Sequence, residues 1–168
     1  MPKSKPLPPL ELVEQLLDYD PETGIFRWKP NRDRRKPAGK IAGALNRYGY
    51  VAITINGRTC SGHRLAWLVS RKEDPMESEV DHINGNKADN RKKNLRLASR
   101  NQNRYNCPVQ KNNTSGFKGV SPRGNKWRAI IHSNGKRYFL GDFPTPELAH
   151  MAYCKAAAEL HGDFARTM

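Results

Sequence analysis

Acidic side chains are scarce in this chain: 16 Asp and Glu stand against 30 Lys and Arg, a formal charge of +14. The imbalance is not held in a tail. Basic residues outnumber acidic ones eleven to six in residues 1–60, ten to six in 61–110 and nine to four in 111–168. A folded chain that is positive throughout implies a polyanionic partner, nucleic acid first. Cysteine is nearly absent as well. Cys60, Cys107 and Cys154 stand alone, without a C-x-x-C pair or a Cys/His cluster. That spacing argues against a disulfide framework and against structural zinc, and it suits reduced thiols in a cytoplasmic protein. Long apolar runs are missing too: none approaches the ~18 residues that span a bilayer. Residues 1–9, rich in Pro and Lys, lack the apolar stretch of a signal peptide and are expected to be a flexible N-terminus. With 36% hydrophobic residues, any core must be modest and divided among small units.

What is present has readable periodicity. Leu10, Leu12, Val13, Leu16 and Leu17 lie at helical spacing. Residues 20–24 (DPETG) make a turn, and Ile25, Phe26 and Trp28 a strand. Residues 29–40, rich in Arg, Lys and Pro, read as a solvated loop. The run 50–55 ends in Asn56-Gly57, which predicts a hairpin because both central residues of that turn need positive φ. Residues 63–71 have helical character, with Leu65, Leu68 and Val69 on one face. Short elements follow: strands near 79–83 and 94–97, a polar loop between them, and a helix near 100–105. Residues 108–116 (PVQKNNTSG) have linker composition. Beyond them, residues 117–120, 126–132 and 137–143 read as three strands. Thr145-Pro146-Glu147 then opens a helix with a capping hydroxyl, Pro at the first position and an acid at the positive end. Its expected buried stripe is Leu148, Ala152, Ala156 and Leu160, with Gly162 as the stop. The expected class is α+β, with one domain over 10–107 and a second over 117–168.

Residues 79–106 carry the candidate chemistry. Phosphodiester cleavage with one metal needs a base for water, a cation for the phosphate, and a frame that fixes both. Asp81 and His82 are neighbours on a strand, so they point to opposite faces; one can bind metal while the other addresses water. Asn94 opens the next strand, and Asn103 on the following helix could return an oxygen ligand. The segment EVDHINGNKADNRKKNLRLASRNQN resembles the ββα-metal motif of HNH endonucleases, in the zinc-free branch of phage and homing enzymes. The stretches DYDPETGIFRWK, GYVAITINGR and HRLAWL resemble what precedes that motif in phage proteins of this kind. The resemblance implies that His82 is the general base and that Asp81 and Asn103 are metal ligands. It implies that Asn94 pins the loop through backbone hydrogen bonds. Asn103 in place of a final His favours Mg²⁺ or Mn²⁺ over zinc. His63 reads as structural or capping, and Asp89 and Asn90 as residues that shape a polar turn. Lys87, Arg91, Lys92 and Lys93 are either backbone contacts for DNA or a solvated face.

The C-terminal segment resembles the plant-type Apetala/ethylene-response-factor DNA-binding domain, through Gly119-Val120, Lys126-Trp127, Leu140-Gly141-x-Phe143 and the Ala-rich helix. By that resemblance a three-stranded sheet meets the major groove while the helix packs behind it. Strand parity agrees: Trp127, Ala129 and Ile131 would face the helix, as would Tyr138 and Leu140. The resemblance, carried over position by position, implies DNA contacts at Lys118, Arg123, Arg128, His132, Arg137 and Phe139. Ser121 and Phe139 depart from the plant family, which usually has Arg and Trp there, so target preference does not transfer.

The expected function is therefore a metal-dependent endonuclease on double-stranded DNA, of phage or mobile-element type. It would act as a monomer or as a dimer assembled on DNA, with no membrane and no obligate protein partner. Two alternatives stay open: a DNA-binding protein without catalysis, and a protein acting on structured RNA.

Overall fold

A computed structural model of the protein describes residues 6–30, 37–110 and 112–167. Part of the expected flexible N-terminus and part of the loop at 29–40 lie outside the described residues. The chain divides into two compact units, Met1–Ala98 and Ser99–Met168. The division falls ahead of the expected linker, so residues 108–116 lie inside the second unit.

The first unit mixes short helices with two- and three-stranded antiparallel sheets. Helix α1 (Leu10–Leu16) leads directly into strand β1 (Leu17–Asp20), which pairs with β2 (Ile25–Trp28). The turn between them is held by Asp20, whose Oδ1 accepts from the Glu22 N–H at 2.9 Å. A second sheet orders β3 (Ala44–Leu45), β4 (Val51–Ile55) and β5 (Arg58–Ser61). The β4–β5 turn is the expected one, with Asn56 at φ 47° and Gly57 at φ 77°. Helix α2 (Gly62–Arg71) buries Leu65, Ala66, Trp67 and Leu68. These join Val13, Leu17, Phe26, Trp28, Ile53 and Ile55 in one apolar core. Strands β6 (Glu79–His82) and β7 (Leu95–Ala98) form the last, two-stranded sheet, with Val80 and Leu95 reaching the same core.

The second unit begins with α3 (Arg100–Tyr105), capped by a reciprocal box in which Ser99 and Gln102 satisfy each other's backbone N–H. Strands β8 (Val120–Arg123), β9 (Lys126–Ser133) and β10 (Lys136–Phe143) follow in the sheet order β10-β9-β8, all antiparallel. Helix α4 (Pro146–His161) packs against them. Its Thr145 cap accepts from the Leu148 N–H, with Pro146 in the first turn.

Three expectations need correction here. The first strand of this sheet runs over Val120–Arg123 rather than 117–120, because Gly119 at φ 71° breaks extended backbone just before it. The buried stripe of α4 is Ala149, Tyr153, Ala157 and His161, one residue later than periodicity suggested; Leu148 is 45% exposed. The deciding residue is Tyr153, whose ring fits only over a position without a side chain: a Cβ at Gly119 would lie 2.3 Å from it. Tyr138 does share the face of its partner Ile131, yet it remains 37% exposed.

Candidate active site

The β6–β7 hairpin brings three of the four expected motif residues together. Asp81 and His82 end β6, Asn94 ends the 3₁₀ turn that leads into β7, and all three are buried. Asn94 is hydrogen-bonded along the loop. Its Oδ1 accepts from the Asn84 N–H at 3.0 Å, and its Nδ2 donates to the Asp89 carbonyl at 2.8 Å and to Asn84 Oδ1 at 3.0 Å. Its own carbonyl accepts from the Ile83 N–H at 2.9 Å. One side chain thus ties both ends of the 83–94 loop. Asn103 lies on α3, in the second unit.

His82 lies in a pocket of residues that the sequence did not connect to it. Its Nε2 is 3.1 Å from Oδ1 of Asn90, a side chain only 1% exposed. The Asn90 carbonyl in turn accepts from the Tyr19 hydroxyl at 2.7 Å. The turn of the β1–β2 hairpin presses on the same backbone, since a Cβ on Gly24 would meet Arg91 N at 2.5 Å and Asn90 C at 2.6 Å. Lys92 N–H donates to the Pro21 carbonyl at 3.0 Å. The first hairpin is therefore a prop for the loop that holds the imidazole. Asn90 shapes no surface turn; it is an internal bracket.

His63 was expected to be structural or capping. Its ring stands edge-on to His82 at 5.1 Å between centroids, and 5.2 Å from the Tyr50 ring. Among the described residues its Nδ1 has no hydrogen-bond partner. Burial, with the positive charge of His82 and Arg64 behind it, pushes His63 down to about 3. Burial also lowers His82, against the Asn90 hydrogen bond and the Asp81 and Asp89 charges, which raise it. At neutral pH both rings are uncharged, the form in which an imidazole accepts a proton.

Asp81 faces away from His82 and meets Arg96 directly across the strand pair, with Arg96 Nε 2.9 Å from Oδ2. The sequence reading missed this partner, which could be found by counting the register back from Asn94. Within the first unit the donor that the motif offers a cation is a hard oxygen, from Asp81, with no thiol in the motif. Among the described residues no three His, Cys, Asp or Glu side chains converge. Such a thin set fits an ion that keeps several waters and takes the rest of its shell from substrate phosphate, as Mg²⁺ does.

The expected DNA contacts divide into presented and committed cations. Lys92 and Lys93 are exposed, with Lys93 4.0 Å from Glu22. Lys87 folds back, its Nζ 3.3 Å from the Tyr48 carbonyl and 4.8 Å from the Tyr50 ring centre. Arg91 is tied to Asp89 through Nε at 2.7 Å, which holds the Asp89 carboxyl down to about 2. In the second unit Lys118 does not present its charge on the sheet: its Nζ donates to the Tyr105 and Cys107 carbonyls at 2.6 and 2.7 Å. Arg123, His132, Arg137 and Phe139 are exposed on the sheet. Arg128 is there too, paired with Asp142, a residue the sequence reading did not single out.

The sequence pattern of a family described as HNH endonuclease matches residues 62–105. Protein 3.8 of Escherichia phage T7 is 34% identical over 106 residues, which cover 62% of this chain and 87% of that protein. A protein of Acanthamoeba polyphaga mimivirus, named an uncharacterized HNH endonuclease, is 37% identical over 121 residues. That match covers 72% of this chain and 63% of the mimivirus protein. No solved structure matches.

Proposed function

Because the chain belongs to the HNH endonuclease family, we propose that it hydrolyses phosphodiester bonds of double-stranded DNA with His82 as general base and Asp81 as a ligand to a divalent cation. The observation that carries this reading is the buried imidazole of His82, bracketed by Asn90. With Asn90 Oδ1 as acceptor of the Nε2 proton, the neutral ring is held in one tautomer while it takes a proton from water. The water oxygen then bonds to phosphorus while the bond from phosphorus to the 3′ oxygen breaks. A bound Mg²⁺ or Mn²⁺ would supply Lewis acidity for the phosphate and the departing oxygen. Asn94 keeps the loop at a fixed width, so that His82 need not search for its orientation.

The second unit grips DNA through the outer face of β8, β9 and β10, in the manner of the plant-type domain it resembles. The basic surplus of the whole chain suits that role. The phage and giant-virus relatives suit a nuclease of a phage or mobile element, acting inside an infected cell.

The test is supercoiled plasmid with protein and Mg²⁺, Mn²⁺ or EDTA. Nicked or linear product should appear only with metal. His82→Ala should lose about a thousandfold or more of the rate, and Asn90→Ala about tenfold to a hundredfold, as general-base and positioning losses run. Equal cleavage by wild type and His82→Ala would remove the reading.

One observation favours a second reading. The Asp81–Arg96 ion pair would hold a carboxylate that a nuclease needs for its cation, as in a DNA-binding protein without cleavage. Tight DNA binding with intact plasmid under every metal would select it.

A further inference from the structure

Strand β10 holds one residue more than its partner can match. Phe139 pairs with Ile130, but Gly141 pairs with Ala129, so Leu140 is the extra residue of a bulge. Gly141 takes φ 135°, a conformation that side chains disfavour. Leu140 turns into the core beneath the sheet. The slip reverses parity beyond it. Without the bulge Asp142 would oppose Trp127 on the helix side; with it, Asp142 stands opposite Arg128 on the outer face.

The two side chains meet edge to edge. Arg128 Nε donates to Asp142 Oδ1 at 2.7 Å and Nη2 to Oδ2 at 2.8 Å, with about seven-tenths of each side chain covered. The Phe139 ring, 61% exposed, lies 5.1 Å from the guanidinium carbon. A guanidinium has five N–H donors in a rigid plane. The carboxylate takes one edge, Nε and one hydrogen of Nη2. The end edge, formed by Nη1 and the second hydrogen of Nη2, remains.

We propose that Arg128, Asp142 and Phe139 form a guanine-reading site, in which Asp142 positions Arg128 to offer its end edge to a base. The inference rests on the reading that this sheet face meets DNA. Guanine alone among the bases shows two adjacent acceptors, O6 and N7, in the major groove, and they match two N–H groups of one fork. A carboxylate beside the arginine cancels most of its charge. That is a poor arrangement for gripping phosphate and a good one for reading a base, because a held fork cannot swing to the backbone. Arg123 and Lys126, on the same face, supply the positive field.

The experiment selects duplexes from a randomised library with the full chain in EDTA, then competes the selected duplex against copies with single guanines replaced by 7-deazaguanine, which lacks the N7 acceptor. Wild type should lose about tenfold in affinity at one guanine. Asp142→Asn should lose less than about threefold there, while it binds unrelated duplex as well as wild type or better. Arg128→Lys keeps the charge without the fork and should also lose guanine discrimination, which decides the matter if Asp142→Asn does not fold. Tighter binding of every duplex by Asp142→Asn, with the wild-type guanine preference kept, would overturn the proposal. So would a preference that shifts at a cytosine, since the carboxylate would then be reading that base itself. If the chain binds no duplex, the DNA-facing reading of the sheet fails first, and this inference with it.

Discussion

His63 and His82 are two imidazoles in one buried pocket, and their chemistry sets a cost in acid. Both folded-state values lie below the ordinary one near 6.5. As pH falls, the unfolded chain therefore takes up protons that the folded chain refuses. Stability is fully present above the unfolded value and declines as pH drops from about 6.5 toward the His63 value of about 3. His63 contributes about 1.4 kcal/mol per pH unit within that window, and His82 adds to the fall in the same direction. Urea unfolding at pH 8, 7, 6 and 5 should give a flat upper part and a falling lower part. His63→Asn should flatten the fall; an unchanged slope in that variant would show that the proton goes elsewhere. The same two rings also mark what sequence alone could not convey. His82 is legible because Asp81, Asn94 and the INGN run surround it in the chain. His63 lies nineteen positions away, and nothing in a linear reading says that α2 starts against β6. Asn90 is hidden for a related reason: in a stretch of Asn, Asp and Lys, composition suggests a wet turn, and only the Tyr19 hydroxyl and the Gly24 contact make it an inside residue.

Elements differ in how openly they declare themselves. The Asn56-Gly57 hairpin is legible because its turn demands positive φ at two successive residues, and few sequences supply that. The alternation of β9 is legible because parity is strict where pairing is regular. The outer half of β10 is not, because a bulge leaves only Gly141 as its trace, and a lone glycine in a strand has several readings. The stripe of α4 is displaced by one because Tyr153 needs the bare backbone of Gly119, a contact between residues 34 apart. Contact between elements also yields a direct prediction in the first unit. The β1–β2 turn reaches the 83–94 loop through Gly24, which combines φ 74° with no room for a Cβ. Gly24→Ala should lower stability by about 1–3 kcal/mol and slow plasmid cleavage beyond what the loss of folded protein explains. Rates measured at temperatures where the variant is fully folded separate the two effects. A variant as stable as wild type would mean that the hairpin does not press on the loop.

At the scale of the molecule, the positive surplus is shared by both units, and so should be its effect. If about six to ten phosphates are neutralised on binding, affinity should fall by about 10³ to 10⁵ between about 50 and 200 mM salt. Titration of duplex at several salt concentrations measures the slope, and a nearly flat line would mean that the excess charge faces something other than DNA. The α+β class and the HNH motif are legible from local patterns, whereas the division after Ala98 is set by long-range packing. The prop beneath Asn90 has a practical meaning for anyone who trims the gene. A fragment cut to the family-matched stretch would keep the histidine, the aspartate and the asparagine of the motif, yet discard Tyr19, Pro21 and Gly24. It would own the tools of a nuclease without the bench they are clamped to.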